Sequence, residues 1–132
     1  MLNKKSFSLI ELIVVVIIIG ILAALALPGF GTSKERVLDK EAKANLALIQ
    51  AAEKIYKMES SFYYPSSGST SVIADINTYL RVSLPTSALS WTYTVSTSQA
   101  TASRLPSSSR VWTLTFTGVG SDEPSCTGTA CP

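Results

Sequence analysis

The stretch Lys4-Lys5-Ser6-Phe7-Ser8-Leu9-Ile10-Glu11-Leu12, continued by an almost wholly apolar run to Leu27, decides how the rest of this chain is read. Phe7 to Leu27 as a helix is about 31 Å long, the thickness of a bilayer's hydrocarbon core. Lys4 and Lys5 precede it and hold that end in the cytoplasm by the positive-inside rule, which sends the C-terminus outward. Glu11 lies inside the run, where a carboxylate costs about 2.5–3.5 kcal/mol even on lenient insertion scales. A charge at that depth needs a reason.

Outward from this stretch the chain has three zones: the apolar N-terminus, a charged middle, and a Ser/Thr-rich, nearly uncharged part from Ser60 onward. Its 132 residues suit one domain, and its 11 basic against 9 acidic residues give a net charge of +2. No basic patch with interleaved aromatics occurs, so the composition offers no nucleic-acid signature. The chain has no His, which removes the commonest general base and metal ligand. A Ser/His or Cys/His nucleophile is thereby excluded, and no Gly-rich phosphate loop is present. The chain therefore reads as a non-enzyme without cofactor or metal site. Cys126 and Cys131 have no second Cys or His pair to complete a zinc site. They read as a disulfide, formed in an oxidising compartment outside the cytoplasm.

Beyond the apolar run a helical pattern resumes. Ala44, Leu48, Ala51, Ile55, Met58 and Phe62 are spaced four, three, four, three, four, one stripe on a helix. Ile49, Ala52 and Tyr56 widen it, and this stripe is expected to hold a soluble head. Asp39–Lys43 and Glu53–Lys57 are expected to be i, i+4 pairs on the solvated side. The pattern predicts one helix from about Phe7 to Ser60, kinked where Pro28 removes a backbone bond. Gly20 and Gly29 loosen the same neighbourhood. The competing reading ends the helix at Ala26 or Leu27.

Phe62-Tyr63-Tyr64-Pro65 ends the helix. These aromatics, with Tyr56, read as a seal between helix and head rather than as a conducting stack. Asp75 to Leu80 reads as a short helical turn. Trp91 to Val95 and Val111 to Thr117 alternate as half-buried strands, with a possible third over Ala100 to Leu105. Trp91, Tyr93, Val95, Trp112, Leu114 and Phe116 face the helix and the threonines face water. The fold class is α+β: a long kinked N-terminal helix packed on a small antiparallel sheet of two to four strands. The expected divisions are residues 1–6, 7–28, 29–61 and 62–132.

Two readings of the N-terminus compete. A secretory signal peptide has the same basic start and apolar core, and Ala24-Leu25-Ala26 would serve as its cleavage site. The segment Ser6-Phe7-Ser8-Leu9-Ile10-Glu11-Leu12, with Gly20, Ile21-Leu22-Ala23-Ala24 and Pro28, instead resembles the class III signal of type IV pilins and the related pseudopilins of type II secretion. Ser6 stands where that family usually has Gly. The resemblance implies cleavage between Ser6 and Phe7 by a prepilin peptidase and N-methylation of Phe7. Glu11 is then the fifth residue of the mature chain. The resemblance further implies a homo-oligomeric helical filament, in which Glu11 pairs with the Phe7 amine of a neighbouring subunit. The Gly20–Pro28 segment would lose helicity there. The implied partners are the peptidase, the inner-membrane assembly machinery, and the membrane before assembly. The implied function is the subunit of an extracellular type IV pilus serving adhesion, motility or DNA uptake. The alternative is a minor pilin or a pseudopilin of a short periplasmic filament. Late acids number only Asp122 and Glu123, too few for the calcium site usual in major secretion pseudopilins.

Overall fold

The computed structural model describes residues 7–26, 30–87, 90–117 and 123–132. Ser6, Pro28, Gly29 and Asp122 lie outside them, and so do the cleavage junction and the expected kink. Two compact units are formed, residues 1–37 and 38–132.

The first helix, α1, spans Leu9–Ala26. Its branched aliphatic side chains surround the whole circumference, and none is buried. The second, α2, spans Phe30–Ser60. It stops where Ser61 turns left-handed at φ 70° and its N–H donates to the Lys57 carbonyl at 2.8 Å, a polar C-terminal cap.

Within the second unit, α2 from Leu38 onward lies in one core with a five-stranded antiparallel sheet. The strands are β1 (Ser69–Thr70), β2 (Trp91–Ser96), β3 (Gln99–Arg104), β4 (Val111–Thr115) and β5 (Ser125–Thr127). They run in chain order, each paired with its sequence neighbours. A short helix, α3 (Ile73–Leu80), sits between β1 and β2. The Asn77 side chain fixes its exit by donating to the Leu84 carbonyl at 2.9 Å and accepting from the Leu84 N–H at 2.8 Å.

Strand alternation follows the sequence. Trp91, Tyr93, Val95, Trp112, Leu114 and Phe116 are all buried. The strand between them contributes only Ala100 and Ala102. The register sets Ala102 between Tyr93 and Trp112, and Ala100 between Val95 and Leu114. A small residue beside large ones on each side lets the rows interdigitate at interior density. The sheet has five strands where two to four were expected. The two extra are short edge pairings made by Ser69–Thr70 and Ser125–Thr127. Neither has enough residues to show alternation.

The C-terminus is tied down at several points. Cys126 and Cys131 form the expected disulfide, whose short ring is worth about 2 kcal/mol in the chain-entropy account. The Ala130 N–H donates to the Ser109 carbonyl at 3.2 Å, and Arg110 Nε donates to the Ala130 carbonyl at 2.5 Å. Gly128 has φ +120°, and a Cβ added there would lie 2.3 Å from the Ser109 carbonyl oxygen. Gly128→Ala is therefore expected to cost at least about 1–3 kcal/mol, read as a lower unfolding midpoint of the detergent-solubilised chain.

Two expectations for α2 are overturned, the first of them in part. The main row of the stripe assigned to the head is exposed, Leu48 44%, Ile55 55% and Met58 77% accessible, whereas Ile49 and Ala52, read as widening that stripe, are buried. The core face is a neighbouring row formed by Ala42, Leu46, Ile49 and Ala52. Tyr56 packs against its lower end. Both rows share helical spacing, and the true one carries two carboxylates, which disguised it. Those carboxylates are the second correction. Asp39 and Glu53 are not solvated partners of Lys43 and Lys57 but are themselves buried. The lysines instead lie over aromatic rings, Lys43 Nζ 4.1 Å from the Trp112 centroid and Lys57 Nζ 4.3 Å from that of Tyr63.

Each buried acid has its own environment. Asp39 accepts from Arg110 Nη1 at 2.8 and 2.9 Å and from Trp112 Nε1 at 3.1 Å. Glu53 Oε2 accepts the Tyr64 N–H at 2.8 Å, while Oε1 has no hydrogen-bond partner among the described residues. Burial pushes the Glu53 carboxyl up to about 7, against the smaller opposing effect of the Tyr64 bond. The aromatics do seal the helix end. Tyr64 stacks on Tyr79 with ring centres 4.7 Å apart, and Tyr63 lies 5.1 Å from Phe116.

Candidate assembly site at the N-terminal helix

Phe7, Glu11 and Gly20 are the site residues that fall among the described residues of the first unit. Phe7 precedes α1 and is 79% exposed. Ser8 takes the position before the first helical residue, and its N–H donates to Glu11 Oε2 at 3.2 Å. Glu11 thus returns from the first turn to satisfy a backbone donor that the helix itself cannot reach. The signal for this was in the sequence. Ser8-Leu9-Ile10-Glu11 is the Ser-x-x-Glu spacing of a helix N-terminus, which sequence reasoning passed over in favour of the resemblance. The carboxylate also lies at the positive end of the helix dipole, which offsets part of its cost in an apolar setting.

Gly20 is regular helix, and a Cβ there would meet nothing within 4 Å. Among the described residues, no contact requires glycine there. Gly20 lies in a helix that continues to Ala26. The remaining α1 side chains leave a continuous apolar surface, with Ile10 68%, Leu12 61% and Leu22 61% exposed. Such a surface cannot stay in water. The helix is long and apolar enough to cross a membrane, yet an uncleaved secretory signal would meet the same test.

The comparisons bear on these two readings. A family model described as the prokaryotic N-terminal methylation motif matches residues 1–27. Residues 1–27 carry this motif. It is 46% identical over 61 residues to the type IV major pilin protein PilA of Myxococcus xanthus, covering 46% of this chain and 28% of that protein. It is 41% identical over 64 residues to the type II secretion system core protein G of Pseudomonas aeruginosa, covering 48% of this chain and 44% of that one. The Escherichia coli core protein G is 32% identical over 61 residues, covering 46% and 42%. The chain spans less than half the length of these curated relatives. No solved structure matches it significantly. The α+β architecture, an N-terminal apolar helix followed by an antiparallel sheet, is that expected of a pilin-like chain.

Proposed function

We propose that this chain is the structural subunit of a type IV pilus, polymerising through its N-terminal helix. The observation that carries the proposal is the methylation motif on a helix with no buried side chain of its own. Such a helix needs two successive apolar environments, lipid before assembly and its own copies after. The prepilin peptidase cuts between Ser6 and Phe7, and Phe7 is N-methylated. The mature subunit waits in the inner membrane with its N-terminus on the cytoplasmic side. The assembly machinery then moves it into an extracellular filament. Gly20 and the Pro28 region, where helix is cheapest to lose, adjust the helix to its neighbours.

Glu11 has a double part on this reading. One oxygen caps its own helix. The carboxylate also pairs with the Phe7 amine of an adjoining subunit. The desolvation cost is offset only when that partner is correctly placed. Glu11→Ala and Glu11→Val are expected to be cleaved and inserted normally, with surface filaments reduced at least about tenfold. Immunoblots of membrane and sheared fractions check this, and normal filament yield would refute the role. N-terminal sequencing of the mature chain tests the processing step. N-methyl-Phe7 supports it, and a first residue beyond Ala26 would show a secretory signal instead.

The secretion core proteins among its relatives favour one second reading, a pseudopilin of a short periplasmic filament. Electron microscopy of sheared surface filaments with mass spectrometry separates the two. Long filaments without this chain would move it to the second reading.

A further inference from the structure

Glu53 is fully buried, and its carboxyl is bonded on one side only. Oε2 accepts the Tyr64 N–H, while Oε1 meets no partner among the described residues. Such a group is costly to keep ionised. What it holds is a strap, residues 61–70, that leaves α2 and ends in β1. The strap has few other ties. The Tyr63 hydroxyl donates to the Phe116 carbonyl at 3.3 Å, long for a bond of this kind. β1 pairs with β2 through two residues only, Ser69 with Ser96 and Thr70 with Val95. The rest is aromatic contact. Tyr64 stacks on Tyr79 and meets Tyr56 edge-on, with ring centres 4.7 and 5.9 Å apart. Left-handed residues stand near both ends, Ser61 at φ 70° and Gly68 at φ 72°. β3, by contrast, is paired with strands on both sides. If solvent is to reach Oε1, the strap is the part that yields at least cost.

We propose that Glu53 is the latch of this strap: protonated, it holds residues 61–70 against α2 and α3, and ionised, it releases them while the sheet stays folded. The titratable groups around the latch are few. On its own helix Tyr56 meets Tyr64, and Lys57 sits over the Tyr63 ring. On α3, Asp75 and Tyr79 act on Tyr64. The sheet side contributes uncharged groups, the Thr115 and Phe116 carbonyls that accept from Gln50 and Tyr63. Burial raises the Glu53 carboxyl from 4.5 to about 7 against the lowering effect of the Tyr64 bond. Between those values the closed form keeps a proton that the open form loses. Opening is therefore favoured about tenfold more for each pH unit from 4.5 to 7, and levels off above that at about 300-fold. Lifting the strap also strips β1 from β2. The backbone at Val95 and Ser96 is then a bare strand edge, able to pair with another chain. The latch works within one subunit and does not depend on the filament reading.

Hydrogen exchange of the full chain in detergent micelles tests this, read residue by residue and corrected for the intrinsic chemical rate. The Tyr64 amide is expected to exchange much faster than the amides of β3 and with little dependence on urea, the mark of a local opening. Its opening constant should rise about 300-fold from pH 4.5 to 7 in the wild type. It should stay level in Glu53→Gln, which keeps an acceptor and does not titrate. Asp75→Asn should leave the rise intact. Loss of the rise in Asp75→Asn would assign the titration to α3 and overturn the latch. A Tyr64 amide with the rate and urea dependence of β3 would overturn it as well, since the strap would then open only with the whole head. So would a level profile in the wild type.

Discussion

Asp39→Ala is expected to destabilise the head by about 3–5 kcal/mol, the usual cost of removing one partner from a buried ion pair. Three things fail together. The Arg110 guanidinium, only 12% exposed beside an Asp39 side chain 10% exposed, keeps its charge without the carboxylate. Trp112 Nε1 loses its acceptor inside the core. The hold of the C-terminal ring on α2, made through Arg110 and Ala130, is cut. The effect is a large fraction of the 5–15 kcal/mol that holds a typical domain. Limited proteolysis of the detergent-solubilised chain, followed by urea unfolding, would report it. Asp39→Asn serves as the comparison, since it keeps an acceptor for Trp112 and loses only the charge. A midpoint for Asp39→Ala within error of the wild type would show that the pair is dispensable.

Glu53→Gln is expected to change the pH dependence of stability. The carboxyl is raised from 4.5 to about 7 in the folded chain. Between those values the native state holds a proton that the unfolded state has released. Stability therefore falls as pH rises through this window. Below about pH 4.5 the penalty is absent, and above about pH 7 it reaches about 3 kcal/mol. Glutamine keeps an oxygen for the Tyr64 N–H and does not titrate. The variant should match the wild type in acid and exceed it by up to about 3 kcal/mol near pH 8. Unfolding curves across that range decide the matter. Parallel profiles for the two proteins would mean that Glu53 does not titrate in the window.

The N-terminal helix and the sheet were the most legible parts of the sequence, because each shows its full period. Apart from Glu11, the eighteen residues of α1 are apolar, and the six large inward side chains of β2, β4 and Phe116 alternate without error. The faces of α2 were legible only in part: Ile49, Ala52 and Tyr56 were placed toward the head, but the main row was misassigned. Two rows on that helix have the same spacing, and choosing between them needs the partner of each carboxylate. Arg110 lies 71 positions from Asp39, and the Tyr64 N–H is a backbone group with no side-chain signature. The edge strands were too short to register as patterns. At the candidate site Glu11 was found through resemblance, whereas its bond to Ser8 was readable from spacing alone. Ser6 and Pro28, outside the described residues, remain proposals resting on the motif.

The ion pair between Asp39 and Arg110 also orders events in time. The sheet is a meander whose strands meet their neighbours as they emerge, a topology of mostly local contacts that forms rapidly. Asp39, on α2, must wait for a residue close to the end of the chain. The head can be locked onto its helix only once the residues up to Arg110 are in place. On the proposed filament reading, a chain stalled before residue 110 would present an unlocked head to proteases, so the contact that stabilises the finished subunit would also mark its completion.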